Sequence, residues 1–149
     1  MNDARYAFVF PGQGAQQIGM GLDLVASSKA AKLVFDEVDE ALGINLSKIV
    51  FEGPEEDLKN TMNTQPAILT MSIACLRAME EILGGLMPSP SFVAGHSLGQ
   101  YTALIASKSM SLSTAAVLVR ERGRLMQYAA ELNSGGMAAL IGMEDSVRE

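Results

Sequence analysis

The feature that most constrains the fold is a serine placed between glycines, in the sequence Gly-His-Ser-Leu-Gly at residues 95–99. A short apolar run, 92–94, precedes it, and a segment that favours a helix, 100–105, follows it. A strand, a tight turn and a helix with serine at the apex form the setting of a G-x-S-x-G nucleophile elbow. The flanking glycines carry no side chain that would crowd the strand or the helix, so the Ser97 hydroxyl can project clear of the sheet edge. The pattern favours a nucleophilic Ser97 over a buried glycine turn with an incidental serine.

Composition limits the classes of protein to which the chain can belong. Its 149 residues are 48% hydrophobic, which suits one globular domain with a sizeable core. The formal net charge of -6, without a basic run, argues against a nucleic-acid partner. One cysteine and one histidine are too few for a Cys/His zinc site, so no metal is expected. The apolar neighbours of Cys75 predict a buried thiol in a reducing compartment.

No targeting or membrane segment is expected from the sequence. The first residues do not have the pattern of a signal peptide, and Gly, Pro and His interrupt the longest uncharged stretch, 84–107. The expected location is therefore the cytoplasm, with no membrane partner.

Periodicity predicts alternating strands and helices. The predicted strands are 6–10, 92–94 and 137–141; the predicted helices are 28–42, one that starts at 53–57, 65–83 capped by Thr64, 100–105, and one capped by Ser113 that ends near 132. This alternation is typical of an α/β protein with a mainly parallel sheet. Because usual sheets have about five or six strands, the sequence looks like part of a larger domain.

A serine nucleophile also needs N–H donors for the oxyanion that forms at the attacked carbonyl. In an elbow one donor is the backbone N–H of the next residue, here Leu98. A second donor is expected from the loop after the first strand, where Gly12 and Gly14 leave the backbone of Gln13 open to close approach. A dinucleotide-binding loop is the alternative, but Gln17 stands where the third glycine would be needed.

Arg122 lies in the middle of an apolar stripe on its predicted helix. The stripe comprises Ala115, Leu118, Val119, Leu125, Met126 and Ala129. A buried guanidinium needs an acceptor, and from periodicity alone an internal Asp or Glu is slightly favoured. Arg120 and Arg124 point away from this stripe and are predicted to be solvated.

His96 is the sole histidine of the sequence. Adjacent residues around a strained turn usually send their side chains in different directions, so His96 is predicted to be structural rather than the general base for Ser97. No histidine follows Ser97, so the sequence provides a nucleophile without a base.

Four ordered motifs together resemble one known family. They are Pro-Gly-Gln-Gly at 11–14, Thr-Gln-Pro-Ala at 64–67, Gly-His-Ser-Leu-Gly-Gln-Tyr at 95–101 and Arg-Glu-Arg-Gly at 120–123. The sequence from Tyr6 to its last residue resembles malonyl-CoA:acyl carrier protein transacylases of fatty-acid synthesis, and is similar also to acyltransferase domains of polyketide synthases. Gln100 departs from the glutamate usual in that family.

The resemblance implies an α/β-hydrolase-like large subdomain, of which residues 1–134 would be the N-terminal part. Residues 135–149 would begin an inserted ferredoxin-like subdomain. It also implies that malonyl-CoA acylates Ser97, that the N–H groups of Gln13 and Leu98 bind the oxyanion, and that Arg122 holds the free carboxylate of the malonyl group.

The resemblance further places Gln65 and Met126 at the acyl pocket, and His96 beside the nucleophile fits selection of malonyl over methylmalonyl. Malonyl-CoA and acyl carrier protein are the implied partners, with the coenzyme A thioester as substrate and no cofactor. The family's histidine base lies beyond residue 149, so a missing C-terminal half is a further implied partner and the chain is expected to be inactive alone.

Three other functions remain open. The chain could be a non-catalytic fragment or split half that binds a partner, or it could be a polyketide synthase acyltransferase or a serine esterase. An esterase would explain neither Arg122 nor the Gln13 loop.

Overall fold

The computed structural model describes residues 5–132, which form a mixed α/β fold with a small parallel sheet and mostly helices. The elements are β1 (Ala7–Phe10), α1 (Leu22–Ser27), α2 (Lys29–Leu42), α3 (Leu46–Glu52), α4 (Glu55–Lys59), α5 (Thr61–Leu83), β2 (Phe92–Gly95), α6 (Gly99–Ala106) and α7 (Leu112–Leu132). The predicted α/β class is confirmed at this level. The predicted strand 137–141 lies outside the described residues. Over residues 5–132, no helix combines the length and apolar character that a membrane crossing requires.

The two strands pair in parallel, although most of the helical chain separates them in sequence. The register sets Ala7 opposite Phe92 and Val9 opposite Ala94. These four side chains point to one face of the sheet, where Val9 is 73% and Phe92 65% exposed. On the opposite face Phe10 is buried and α6 packs against both strands.

Helices α2, α5 and α7 pack together and enclose most of the core. Helix α2 buries Ala31, Val34, Phe35 and Val38, the period that the sequence predicted. Its N-cap is Ser28, whose hydroxyl accepts the Ala31 N–H at 3.0 Å and donates to the Glu81 carboxylate on α5. One serine therefore both caps the helix and ties it to its neighbour.

Helix α5 starts earlier than its sequence predicts. The N-cap is Asn60, whose side-chain oxygen accepts the Met62 N–H at 3.0 Å, and not Thr64. Thr64 is fully buried inside the helix and its hydroxyl donates to the carbonyl of Leu58 and, at 3.1 Å, to that of Asn60. Pro66 suggested a first-turn position, because proline lacks the N–H that an interior residue donates. The Asn60 cap instead adds a turn before it.

Three smaller predictions are also wrong. Ser111, and not Ser113, accepts an N–H at the start of α7, from Thr114 at 3.2 Å.

Cys75 is exposed rather than buried, because it lies on the side of α5 that faces a groove beside β1. Partial desolvation there raises the pKa of its thiol. Most of the predicted apolar stripe of α7 is exposed: Ala115 and Val119 are buried, whereas Leu118, Leu125, Met126 and Ala129 are exposed. The other buried residues of the helix are Leu112, Ala116 and Gly123.

Helices α5 and α7 are in close backbone contact at Gly123. A Cβ at this position would lie 2.5 Å from the Thr61 carbonyl oxygen and 2.8 Å from the Met62 Cα. Real Cβ atoms do not approach backbone so closely, so only glycine permits this crossing. The crossing places Arg122, the preceding residue, beside the next turn of α5.

We expect Gly123→Ala to destabilise the chain by about 1–3 kcal/mol, because the added methyl must push α7 away from α5. Helix propensity alone would stabilise the variant by up to about 1 kcal/mol. A decrease in the free energy of unfolding would therefore come from the contact between the helices and not from propensity. Urea unfolding measures it. Gly85→Ala, in the 3₁₀ turn after α5, is the control for a methyl group that meets nothing within 4 Å. Equal midpoints for wild type and Gly123→Ala would contradict the close crossing.

Candidate active site

Ser97 occupies a strained backbone conformation at the turn between β2 and α6. Its φ of 53° lies in the left-handed region that non-glycine residues rarely adopt. Such strain costs about 1–3 kcal/mol and persists where the surrounding structure fixes it. The turn has the geometry that a nucleophile elbow requires.

The two glycines of the motif are required by close backbone contacts. A Cβ on Gly95 would lie 1.9 Å from the carbonyl oxygen of Gly99, and a Cβ on Gly99 would lie 2.5 Å from that of Phe10. The His96 N–H also donates to the Phe10 carbonyl at 3.1 Å. The end of β1 therefore supports the elbow, as the clash argument from sequence predicts.

The loop after β1 reaches the elbow through Gly12. A Cβ on Gly12 would lie 2.5 Å from the His96 Nδ1, so the imidazole packs directly on the Gly12 backbone. Gln13, the next residue, is exposed at this edge. Leu98 is buried and precedes the first turn of α6, and its N–H has no acceptor among residues 5–132. The two predicted N–H donors thus lie on neighbouring segments.

Arg122 contacts both the serine and α5. Its Nη2 donates to Ser97 Oγ at 3.0 Å, and its Nη1 donates to Gln65 Oε1 at 2.7 Å. None of the ion pairs found within residues 5–132 includes Arg122. The prediction of an internal Asp or Glu as the partner of Arg122, which periodicity slightly favoured, is therefore wrong. The partner is the neutral amide of Gln65.

Gln65 and Met126 complete this cluster. Gln65 is fully buried, and its Nε2 donates to the Met126 sulfur at 3.1 Å. Met126 is 37% exposed, so the cluster opens to solvent on that side. The structure brings Ser97, Arg122, Gln65 and Met126 into one connected set.

The arginines that flank Arg122 have different environments. Arg124 is exposed and binds Glu121 through two hydrogen bonds of 2.7 Å, which hold the pKa of the Glu121 carboxyl below its usual range. Arg120, expected in solvent, instead has its Nη1 buried with no acceptor among the described residues. Arg122 is the member of the three that reaches the elbow.

Gly123 shapes the site, although it was not among the residues predicted from the motifs. A glycine inside a helix of 21 residues is the signal that could have found it, because glycine is unfavourable there unless packing requires it. Within the described part of the chain, no cluster of three or more His, Cys, Asp or Glu could hold a metal ion.

The fold and the elbow define a class of protein, and comparison with known sequences identifies it. The Acyl transferase domain family profile matches residues 7–148, and the chain belongs to this family. It is 48% identical over 141 residues to the malonyl CoA-acyl carrier protein transacylase of Bacillus subtilis (strain 168), and 43% identical over 142 residues to that of Escherichia coli (strain K12). These alignments cover 95% of this chain but 43% and 45% of the relatives, so the chain spans less than half their length.

Solved structures agree with this assignment. The acyl-carrier-protein-S-malonyltransferase of Bartonella henselae superposes with a TM-score of 0.84 at 45% identity, over 96% of this chain and 46% of that one. A chain from the complex of a type II PKS acyl-carrier protein with its malonyl-transacylase matches with a TM-score of 0.79 at 44% identity. This match covers 85% of the present chain and 40% of that one. The resemblance stated from the motifs is confirmed.

Substitutions at Ser97 can measure the strain of the elbow. Glycine adopts a positive φ without steric cost, whereas alanine retains the strain. We expect Ser97→Gly to be at least as stable as Ser97→Ala, although glycine is about 0.5–1 kcal/mol worse than alanine at ordinary positions. The same pair at Ser113, inside the first turn of α7, is the control and should show that ordinary penalty. An equal penalty at both serines, by urea unfolding, would contradict the strain.

Proposed function

We propose that the chain carries the nucleophile and the acyl-recognition group of a malonyl-CoA:acyl carrier protein transacylase. The proposal assigns residues 1–134 to an α/β-hydrolase-like subdomain and 135–149 to the start of a ferredoxin-like one. Coenzyme A enters as a substrate thioester, and no cofactor is needed. The setting would be cytoplasmic fatty-acid synthesis. The PKS complex among the structural neighbours keeps a polyketide acyl carrier protein as an alternative acceptor.

The observation that carries the proposal is the 3.0 Å contact between Arg122 Nη2 and Ser97 Oγ. Arg122 is half-buried and has no carboxylate partner within residues 5–132, and a guanidinium in that situation attracts an anion. In a malonyl thioester one methylene separates the free carboxylate from the reactive carbonyl. A cation adjacent to the nucleophile therefore suits this substrate, whereas an esterase acting on neutral acyl groups has no use for it.

The proposed reaction has two steps that share one mechanism. Ser97 Oγ attacks the thioester carbonyl, a C–O bond forms, the C–S bond breaks, and coenzyme A leaves as its thiol. The phosphopantetheine thiol of the carrier protein then attacks the Ser97 ester and restores the hydroxyl. The Leu98 and Gln13 N–H groups would bind the oxyanion in both steps.

The first step requires a base that takes the serine proton. His96 is exposed, it packs on Gly12, and no hydrogen bond joins it to Ser97. We therefore assign the base to the part of the relatives that this chain does not match, and we expect the 149-residue chain alone to form the ester slowly.

Mass spectrometry of the chain after incubation with labelled malonyl-CoA or acetyl-CoA tests the assignment. We expect a malonyl ester on Ser97, and we expect Arg122→Ala to reduce the malonylation rate at least about thirty-fold, the effect of losing about 2 kcal/mol of a charged contact. Acetylation should change much less.

Arg124→Ala is the matched control, because Arg124 lies on the same helix but pairs with Glu121. Equal losses of malonyl and acetyl transfer in Arg122→Ala would indicate a structural role for the arginine. Rapid turnover by wild type with free thiols would contradict the assignment of the base.

The bare face of the sheet favours a second function, the binding of a complementary polypeptide. Ala7, Val9, Phe92 and Ala94 are all apolar and exposed on one face, whereas parallel sheets are normally covered on both faces. An apolar groove of about 500 Å³ lies beside β1; Phe8, Met71, Cys75 and Met79 are among its lining residues. Exposed apolar surface of this kind marks an interaction site.

The occupant that we assign is the polypeptide that corresponds to the unmatched part of the relatives. The alignments leave more than half of each relative's length outside this chain. That polypeptide could be a continuation of the same chain or a separate one.

The unmatched part of the Bacillus subtilis relative, produced alone, provides the test. We expect it to bind the 149-residue chain in sedimentation analysis, and we expect Val9→Glu to weaken the complex at least tenfold. Leu33→Glu, 56% exposed on α2, is the control and should leave binding unchanged. Self-association of the chain that Val9→Glu abolishes, without binding of the added polypeptide, would assign the face to a second copy instead.

A further inference from the structure

We infer that Gln65 is a positioning residue for acyl selectivity: its neutral amide aims Arg122 at the serine without cancelling its charge. The inference rests on the proposed function, because it concerns how Arg122 remains available to a substrate carboxylate. It gives Gln65 a role that acts through Arg122, rather than through contact with the acyl group.

The burial of Gln65 beside Arg122 makes it important that the residue at this position is neutral rather than charged. The side chain is fully buried, and its Oε1 accepts the Arg122 Nη1 at 2.7 Å. A glutamate has nearly the same shape and could accept the same hydrogen bond, but it would form a buried ion pair with the arginine. The amide supplies the geometry of that bond, and among residues 5–132 no carboxylate compensates the positive charge.

The other end of the amide fixes its orientation. Nε2 donates to the Met126 sulfur at 3.1 Å, and this leaves the oxygen directed at Arg122. The reversed amide would place its NH₂ donors against the guanidinium, which has donors only. The Met126 sulfur therefore orients the Gln65 amide, and the amide oxygen in turn orients the Arg122 guanidinium.

Within the described residues 5–132, the arrangement leaves donors free on the arginine. A guanidinium has five N–H donors, and two of them are used by Gln65 and Ser97. An arriving carboxylate can bind the remaining donors or replace the serine oxygen, while the Nη1 contact with Gln65 keeps the guanidinium in place.

Binding of malonyl-CoA and acetyl-CoA by calorimetry tests the inference on the chain as it is. We expect wild type to prefer malonyl-CoA, and we expect Gln65→Glu to lose at least tenfold in malonyl-CoA affinity with no comparable loss for acetyl-CoA. Gln65→Leu, which removes the orienting bond without adding charge, should fall between them. Gln127→Glu adds the same charge at an exposed position of α7 and should behave as wild type.

A measurement without ligand covers the case in which Gln65→Glu is unstable. If the carboxylate introduced by this substitution pairs with Arg122, its folded-state pKa lies below the unfolded value of about 4.3. Its contribution to stability is then present above that pH and is lost as the pH falls through the folded-state pKa. If the introduced carboxyl does not reach Arg122, it is buried with a raised pKa, and the variant would lose stability as the pH rises.

The outcomes separate the inference from the proposed function. If wild type showed no preference for malonyl-CoA and Arg122→Ala bound both thioesters as wild type does, the proposed function and the inference would both be overturned. A wild type that prefers malonyl-CoA and a Gln65→Glu variant that keeps this preference would overturn the role of Gln65 alone.

Discussion

The close approach of α5 and α7 at Gly123 is the contact on which the site depends. Without a side chain there, the Thr61 carbonyl lies against the backbone of α7, and Arg122 then meets Gln65 one turn along α5. Any residue with a Cβ would separate the helices and withdraw the guanidinium from the serine. Arg122 is therefore positioned by the packing of two long helices, whereas Ser97 is positioned by a turn of the small sheet.

The elbow shows how local strain and tight packing support each other. Ser97 is held at a positive φ because Gly95 and Gly99 nearly touch, and because Gly99 also rests on the end of β1. Relaxing the serine would break these backbone contacts together. Its hydroxyl is thereby kept at the end of the Arg122 side chain, where two independent parts of the fold meet.

The sequence predicted the elements whose signals are local. The G-x-S-x-G motif, the period of α2 and the glycine that ends α5 each appear within a few residues, and the structure agrees with all of them. The start of α5 and the surroundings of Cys75 were missed, because a cap at Asn60 and a groove against β1 depend on tertiary context. The periodicity of α7 could not identify the partner of Arg122, because Gln65 is distant in sequence and no pattern distinguishes a neutral acceptor from a carboxylate.

The pairing of β1 with β2 has a consequence for the order in which the molecule forms. The register joins Ala7 to Phe92, so five helices must be made before the first strand finds its neighbour. Contacts that are so distant in sequence close late, whereas α2 and α5 can begin to pack as soon as both have been synthesised. We expect α2 and α5 to pack first and to serve as the template on which the strands pair. Ser97 would then reach its positive φ in the last stage of folding.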